Sequence, residues 1–321
     1  MKVSIIIVNY RSWSFLDECL SSLTNDPGST EWQLIVIDNH SDDGLFKAFS
    51  QKFTNVSFVA NPRNGGFAYG CNAGARLAIN ERLLFLNPDV VVKPGQIEAL
   101  IAVKDGLPDV AILTANQVNV KGQAQKSWDI FPNLFTYLKS VKSLLRKLMP
   151  ARYPDPRIPL QSLVYCDWVS GAVFLMDRSR FDELGGWCED YWMYSEDCDM
   201  CFVARQKGYL VACTPAVTLI HHHGGASRQN VDITALTKTE AIISKHVFNS
   251  RHRVGWQKYC NHFLIAFTNV LELVFWSLLD TLTLLRFRVL SIRRKMLVQL
   301  FSHYRMVLRT GNWRSMRAEI P

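Results

Sequence analysis

An α/β fold, with a parallel sheet covered by helices, is what the first third of the chain predicts, on three observations. Short apolar runs at residues 3–8, 34–37, 56–60 and 83–86 alternate with helix-like stretches at 14–23 and 69–79. Each run is apolar at consecutive positions, as a strand buried on both faces requires. Each also ends in polar residues: Asn9 and Tyr10, then Asp38, Asn39 and Ser41, then Arg63 and Asn64, then Asn87 and Asp89. Ligands of such sheets gather at the carboxyl ends of the strands, so four successive strands aim polar groups at one edge.

Taken in order, the first run is too short for the apolar region of a secretory leader and runs straight into Asn9, so it reads as a buried strand and the protein as not exported. Eight irregularly spaced cysteines then suggest reduced thiols in a cytoplasmic protein. Cys198 and Cys201 form a C-x-x-C with no matching second pair, which argues against zinc. After residue 90 the pattern loosens. Residues 164–173 and 210–213 look like strands, and 199–207 like a helix ended by Gly208. The proline-containing stretch 131–160, with a basic helical segment at 139–147, reads as an insertion that could touch membrane or acceptor.

With 321 residues, 48% of them hydrophobic, the chain can bury a full core as one large domain plus an appendage. Residues 1–250 carry 24 Lys and Arg against 25 Asp and Glu, whereas 251–321 carry 12 against 3. All the net positive charge therefore sits in the tail. A neutral body with a basic, apolar-rich end argues against nucleic acid and for an anionic membrane surface. The expected division is a domain over 1–250 and a membrane-associating helical tail over 251–321.

Several constellations carry chemistry. Asp38 opens an Asx-rich turn where a carboxylate can accept from a nucleobase N–H, although such turns are also common without a ligand. The glycines from Gly65 to Gly74 allow either close approach of a diphosphate or tight helix packing. Asp89 projects from a strand end, as a single protein oxygen for a divalent ion would. His221, His222 and His223 cannot all share a metal if extended, because alternate side chains face opposite ways. Glu196, Asp197 and Asp199 follow Tyr191, Trp192 and Tyr194. Carboxylates beside aromatics are partly desolvated, which raises their basicity and suits a general base facing a sugar hydroxyl.

In order along the chain stand V-x-I-I-I-V-N-Y, I-D-N-x-S-x-D-G, N-x-G-F-x-x-G-x-N-x-G, N-P-D, S-G-A, G-G-W, E-D-x-D with a following Arg205, and H-x-x-G-x-S from His222 to Ser227. This series, over roughly residues 3–230, resembles the inverting family 2 glycosyltransferases of GT-A fold, and within them the bacterial rhamnosyltransferase-like branch. The resemblance implies a GT-A nucleotide-sugar-binding sheet plus a C-terminal amphipathic helical extension. It makes Asp197 the catalytic base and assigns Glu196, Asp199, Trp168, Gly171, Trp187 and Tyr194 to acceptor and sugar. It assigns Asn9, Tyr10, Asp38, Asn39, Ser41, Arg63, Asn64, Gly65, Gly66, Phe67, Asn72, Asn87 and Asp89 to the donor. Mg²⁺ or Mn²⁺ would be held by Asp89 and His222, with the triple histidine leaving the register open by one. One departure is that the family's Asp-x-Asp is here Asn87-Pro88-Asp89, with a single carboxylate.

The implied reaction is single displacement from a nucleoside-diphosphate sugar, best dTDP-L-rhamnose, to a hydroxyl of a lipid-linked or surface-polysaccharide acceptor, such as a polyprenyl-diphosphate-linked glycan. The alternatives are a UDP-sugar hexosyl or galactofuranosyl transfer, and, more distantly, a non-catalytic membrane scaffold. A sugar-phosphate nucleotidyltransferase is disfavoured because residues 9–12 are not a Gly-rich basic loop. Residues 263–285 are long enough to span a bilayer, but Glu272 and Asp280 favour an in-plane helix. The expected place is the cytoplasmic face of the inner membrane, as a peripheral protein.

Overall fold

A computed structural model describes residues 2–222, 230–282 and 287–319. Elements follow in the order β1 (Val3–Asn9), α1 (Trp13–Thr24), β2 (Trp32–Asp38), α2 (Phe46–Lys52), β3 (Val56–Ala60), α3 (Phe67–Leu77), β4 (Arg82–Leu86), β5 (Val90–Val91), α4 (Gln96–Asp105), β6 (Val110–Val118) and β7 (Trp128–Asp129). Then come α5 (Lys139–Leu148), β8 (Val164–Tyr165), β9 (Trp168–Val169), β10 (Val173–Asp177), α6 (Arg178–Leu184), α7 (Glu196–Gln206), β11 (Leu210–His221), α8 (Val231–His252), α9 (Gly255–Leu282), α10 (Arg288–Thr310) and α11 (Met316–Glu319).

The chain divides into two compact units. The first comprises Met1–Phe131, Pro154–Cys188 and Glu196–Gly225, and holds a mixed sheet of order β3-β2-β1-β4-β10-β6-β11-β5, with β8 pairing β11. β3, β2, β1 and β4 are parallel, and β10 runs antiparallel between β4 and β6. The period of two in β1 and β2 sorts their side chains to two cores. Val3, Ile5, Ile7, Leu34 and Val36 pack with α1 and α4 through Leu16, Leu20, Ile97 and Leu100. Ile6, Val8, Ile35 and Ile37 pack with α3, α6 and α7 through Cys71, Phe181, Met200 and Cys201. Helices therefore cover both faces, as expected.

Part of the glycine ambiguity resolves into packing. A Cβ on Gly70 would lie 2.6 Å from Val8 Cγ1, and one on Gly74 would strike Ile6. These two glycines let α3 lie directly on β1, and either Gly→Ala change would push the helix off the sheet.

The second unit comprises Pro132–Tyr153, Glu189–Ser195 and Ala226–Pro321. Its frame is α8, α9 and α10, packed on one another. The basic segment 139–147 belongs to this unit as α5, and the boundary expected at 250 falls inside α8. With 20 Lys and Arg against 7 Asp and Glu, this unit carries all the net positive charge, while the sheet unit has 16 against 21.

The later elements depart from the sequence reading. The run 164–173 is not one strand: β8, β9 and β10 pair with β11, β7 and the central sheet respectively. The strand expected at 210–213 continues to His221 across register shifts. In α10 the buried stripe runs through Leu290, Met296, Leu300, His303 and Val307, whereas Phe301 and Leu308 are exposed.

Candidate active site

Topology alone brings the polar strand ends together. Asn9 and Asp38 are register partners at the ends of β1 and β2, and Ala60, just before Asn61, pairs with Asp38. Because β10 is antiparallel to β4, its entry sits at the exit of β4, where Asn87 N–H donates to Ala172 O at 2.9 Å. The end of β11 pairs antiparallel with β5, with His221 opposite Val90, which sets this histidine beside Asp89.

At the β1–β2 corner, Asp38 is buried. Its Oδ1 accepts from Asn9 Nδ2 at 3.0 Å and Ser41 Oγ at 2.6 Å, and its Oδ2 accepts from Ser41 N–H at 3.0 Å. Four acceptor positions on an ionised carboxylate leave one open on Oδ2. Arg11 clamps the turn, its amide donating to Ser41 Oγ and its Nε to Ser41 O, and lies 5.4 Å from the ring of the half-exposed Tyr10. Trp13 Nε1 donates to Asp43 Oδ2 at 2.7 Å and pins the far end of the loop. The result is a rigid carboxylate flanked by an accessible aromatic ring, suited to a planar heterocycle with an N–H donor.

Asn39 connects this corner to the glycine loop, donating to Gly66 O at 2.7 Å and accepting from Asn61 Nδ2 at 2.7 Å. Gly66 has φ +93°, a conformation that favours glycine, and its N–H donates to Asn64 Oδ1. A Cβ on Gly65 would run into the ring of Tyr69, over which Arg63 stacks at 4.7 Å. The loop thus enters α3 with its backbone close and its side chains tied back.

His221, and not His222, faces Asp89. His221 Nε2 is 3.2 Å from Asp89 Oδ1, and its Nδ1 is 2.9 Å from Gln117 Oε1. His222 donates its backbone N–H to Asp89 O, but its ring lies 3.2 Å from Glu18 Oε2 and against Phe15. The expectation of His222 as the partner of Asp89 is therefore corrected by one residue, because strand alternation turns its side chain to the other side. The remainder of that motif, His223 to Ser227, lies outside the described residues. No cluster of three His, Cys, Asp or Glu is present among the described residues, and Asp89 with His221 is a pair of donors that a cation could share. These two fit one: cis ligands at about 2.1 Å from a metal lie roughly 3 Å apart. Gln117 accepting from Nδ1–H would turn the Nε2 lone pair to the ion, the usual outer-shell arrangement.

The carboxylate pair opens α7. Asp197 Oδ2 accepts from Gly171 N–H at 3.0 Å and its Oδ1 from Cys198 N–H at 2.7 Å. Burial raises its pKa above the ordinary aspartate range, while these two amides and the charge of Lys126 pull it back. Glu196 is buried, and burial followed by the Asp197 charge pushes it far up. Its Oε2 meets no partner among the described residues. Glu196 is pushed further up than Asp197, so of the two adjacent carboxyls Asp197 gives up its proton the more readily. Asp197 is thus a partly desolvated carboxylate held in place, the form a general base takes.

Two expected contacts are reassigned. Trp187 is a core residue, 2% exposed and packed on Phe67, Phe85 and Phe174, so it cannot stack on a sugar. Asn72 spends its side chain on the backbone of Trp187, donating to its O at 2.9 Å and accepting from its N–H at 3.0 Å, and so positions that core turn. Arg205 is exposed and makes no salt bridge with the acidic cluster among the described residues. Trp168 donates Nε1 to Ile130 O and carries Lys126 over its ring at 4.6 Å. Gly171 enters the site through its amide, Phe67 lies against it, and Asp199 is buried in the first turn of α7. Tyr194 and Ser195 have left-handed φ of 72° and 67°, and Tyr194 is 39% exposed. Gly171, expected at the sugar, supports Asp197 through its N–H, whereas Gln117 and Lys126 have no signal in the sequence because nothing separates them from ordinary strand and loop residues.

A half-parallel α/β sheet that gathers a carboxylate–aromatic corner, an Asp/His pair and two adjacent carboxyls along one edge has the architecture of the GT-A glycosyltransferases. The family model for glycosyl transferase family 2 matches residues 4–165, and the chain belongs to this family, in its rhamnosyltransferase-like part. It is 27% identical over 272 residues to the N-acetylglucosaminyl-diphospho-decaprenol L-rhamnosyltransferase of Mycobacterium tuberculosis strain H37Rv, covering 78% of this chain and 85% of that protein. It is 26% identical over 237 residues to rhamnosyltransferase WbbL of Escherichia coli K12, covering 70% and 86%. Among solved structures, the mannosyltransferase PcManGT of Pyrobaculum calidifontis, in complex with GDP-Man and Mn²⁺, superposes with TM-score 0.54 at 13% identity, covering 97% and 88%. GalNAc-T7 with UDP, GalNAc and Mn²⁺ gives 0.51 at 17% identity, covering 68% of this chain and 43% of that one. The protein is a glycosyltransferase enzyme.

Proposed function

We propose that the enzyme transfers L-rhamnose, with inversion, from a nucleoside-diphosphate donor, best dTDP-L-rhamnose, to a hydroxyl of a polyprenyl-diphosphate-linked glycan. The observation that carries the chemistry is Asp197, partly desolvated and held by two amides. Asp197 takes the acceptor proton as the hydroxyl attacks the anomeric carbon opposite the diphosphate. Glu196, kept neutral, offers an O–H to a sugar or acceptor oxygen. The rhamnosyl donor and lipid-linked acceptor rest on the names of the two rhamnosyltransferase relatives. Hydrolysis or binding measured across a panel of dTDP-, UDP- and GDP-sugars tests the donor, and a preference for a UDP-hexose would overturn rhamnose.

Asp38, with Asn9, Ser41 and Tyr10, binds the base. Asp38→Ala should weaken donor binding in calorimetry by at least roughly ten-fold, the cost of a hydrogen bond to a charged group. Unchanged affinity would remove Asp38 from that role. A divalent ion, Mg²⁺ or Mn²⁺, on Asp89 and His221 would neutralise charge building on the leaving diphosphate. His221→Ala should therefore raise the Mn²⁺ concentration needed for donor binding by about ten-fold or more, and His222→Ala much less. The reverse ranking in a metal titration would restore His222.

The reaction belongs at the cytoplasmic face of the inner membrane, where the basic helical unit would meet anionic lipid as a peripheral attachment.

A further inference from the structure

Helix α9 is amphipathic the wrong way round for a soluble bundle. Its polar residues face inward: Asn261, His262 and Asp280 are buried, with Ile265 and Leu273 between them. Asp280 Oδ2 is 3.0 Å from Arg294 Nε, and Glu272 pairs with Arg293, so its carboxylates are matched by α10. Its outward residues are apolar at every third or fourth position. Tyr259, Phe263, Phe267, Leu271, Phe275 and Leu278 are between 49% and 74% exposed. An unbroken row of this length far exceeds the scattered apolar residues of an ordinary surface.

We propose that this ridge docks on anionic phospholipid, with α9 lying in the plane of the bilayer and its outward side chains immersed among the acyl chains. The proposal rests on the membrane attachment suggested above and names the face that makes it. Charge complementarity selects the occupant, because the unit that carries the ridge has 20 cationic residues against 7 anionic ones. α9 is long and apolar enough to cross a bilayer by composition. Its packing decides against that: α8 and α10 occupy its inner side and carry charges such as the Lys295–Asp232 pair, so a spanning α9 would drag them to bilayer depth. A helix with lipid on one side and a charged bundle on the other lies in the interface.

Cys260, the exposed cysteine on α9, is a native reporter beside the ridge, and Cys188→Ser removes the half-buried alternative. A polarity-sensitive fluorophore on Cys260 should shift to the blue on vesicles of phosphatidylglycerol and phosphatidylcholine, and much less on phosphatidylcholine alone. Phe263→Ser, Phe267→Ser and Phe275→Ser combined should reduce partition onto the mixed vesicles at least ten-fold. Because these side chains are exposed, helix content and donor hydrolysis should stay unchanged. In reconstituted vesicles, labels at Cys260 and at Leu282→Cys should be reduced equally by dithionite added outside. Undiminished binding by the triple variant, or protection of one label only, would overturn the proposal. So would loss of self-association in sedimentation with vesicle binding intact, which would assign the ridge to a second copy of the chain. Failure to hydrolyse any nucleotide sugar would instead sink the rhamnosyl reading and leave the vesicle result standing.

Discussion

Asp197→Asn is expected to lower turnover by at least roughly 10²-fold while leaving fold and donor affinity near their starting values. Asparagine preserves the shape and can still accept from Gly171 N–H at the position Asp197 Oδ2 now holds, but it cannot take a proton. Glu196→Gln makes the informative contrast. Burial and the adjacent Asp197 charge hold Glu196 protonated, so glutamine imitates its working form and should retain most of the activity. If the two roles were exchanged, Glu196→Gln would be the crippling change. The acid limb of the turnover profile belongs to Asp197. Because its folded pKa is raised, protonation should shut the reaction off at a higher pH than an ordinary aspartate would. Steady-state rates with a soluble acceptor measure all three effects. Near-normal turnover of Asp197→Asn would end its assignment as base.

The parallel half of the fold was legible because burial on two faces leaves a plain mark: consecutive apolar residues, then a polar strand end. β3 falls on residues 56–60 as read, and β1, β2 and β4 differ from their apolar runs by one or two residues. Elements with weaker signals were passed over. α2 buries none of its residues and α4 has a muted apolar stripe, so neither stands out by periodicity. β10 was fused with its neighbours because only pairing partners, which are long-range, separate β8, β9 and β10. Residue positions followed the same logic. Asp38, Asp89 and Asp197 could be placed because strand ends and helix starts fix where a side chain must lie. Trp187 could not, since G-G-W reads equally as a sugar platform or as a core turn, and tertiary packing alone chose the core. The histidine register was open for a similar reason: three identical residues in a row give alternation nothing to break the tie.

The helical unit should lose stability steeply as the pH falls from about 6.5 toward 4. His246 on α8, His262 on α9 and His303 on α10 are buried where the three helices pack. Burial holds His262 and His303 down at about 4 and His246 well below its ordinary 6.5. His246 Nδ1 lies 2.8 Å from His262 Nδ1, and His246 Nε2 lies 2.9 Å from Tyr304 Oη. With neutral rings, Tyr304 can donate to His246, which donates to His262. A proton on His262 Nδ1 would set two N–H groups against each other. Because the folded-state pKa values are depressed, these groups cost nothing above about 6.5. Below it the unfolded chain binds more protons, and His262 and His303 each withdraw on the order of 3 kcal/mol by pH 4, with His246 acting in the same direction. Glu240 acts in the opposite sense. Its pKa, raised by burial to about 7, gives stability that is full below its unfolded value and lost as pH rises to 7, so acidification regains roughly one imidazole's worth. Two such losses against one gain leave on the order of 3 kcal/mol, to which His246 adds, a large share of the roughly 5–15 kcal/mol that holds a domain. Circular-dichroism melts at pH 7.5, 5.5 and 4.5 should show the fall already at 5.5, before ordinary carboxylates protonate. His303→Phe should flatten the slope, since both ring nitrogens of His303 are buried without a partner among the described residues. A melting temperature unchanged between pH 7.5 and 5.5 would mean that water or ions already satisfy these rings.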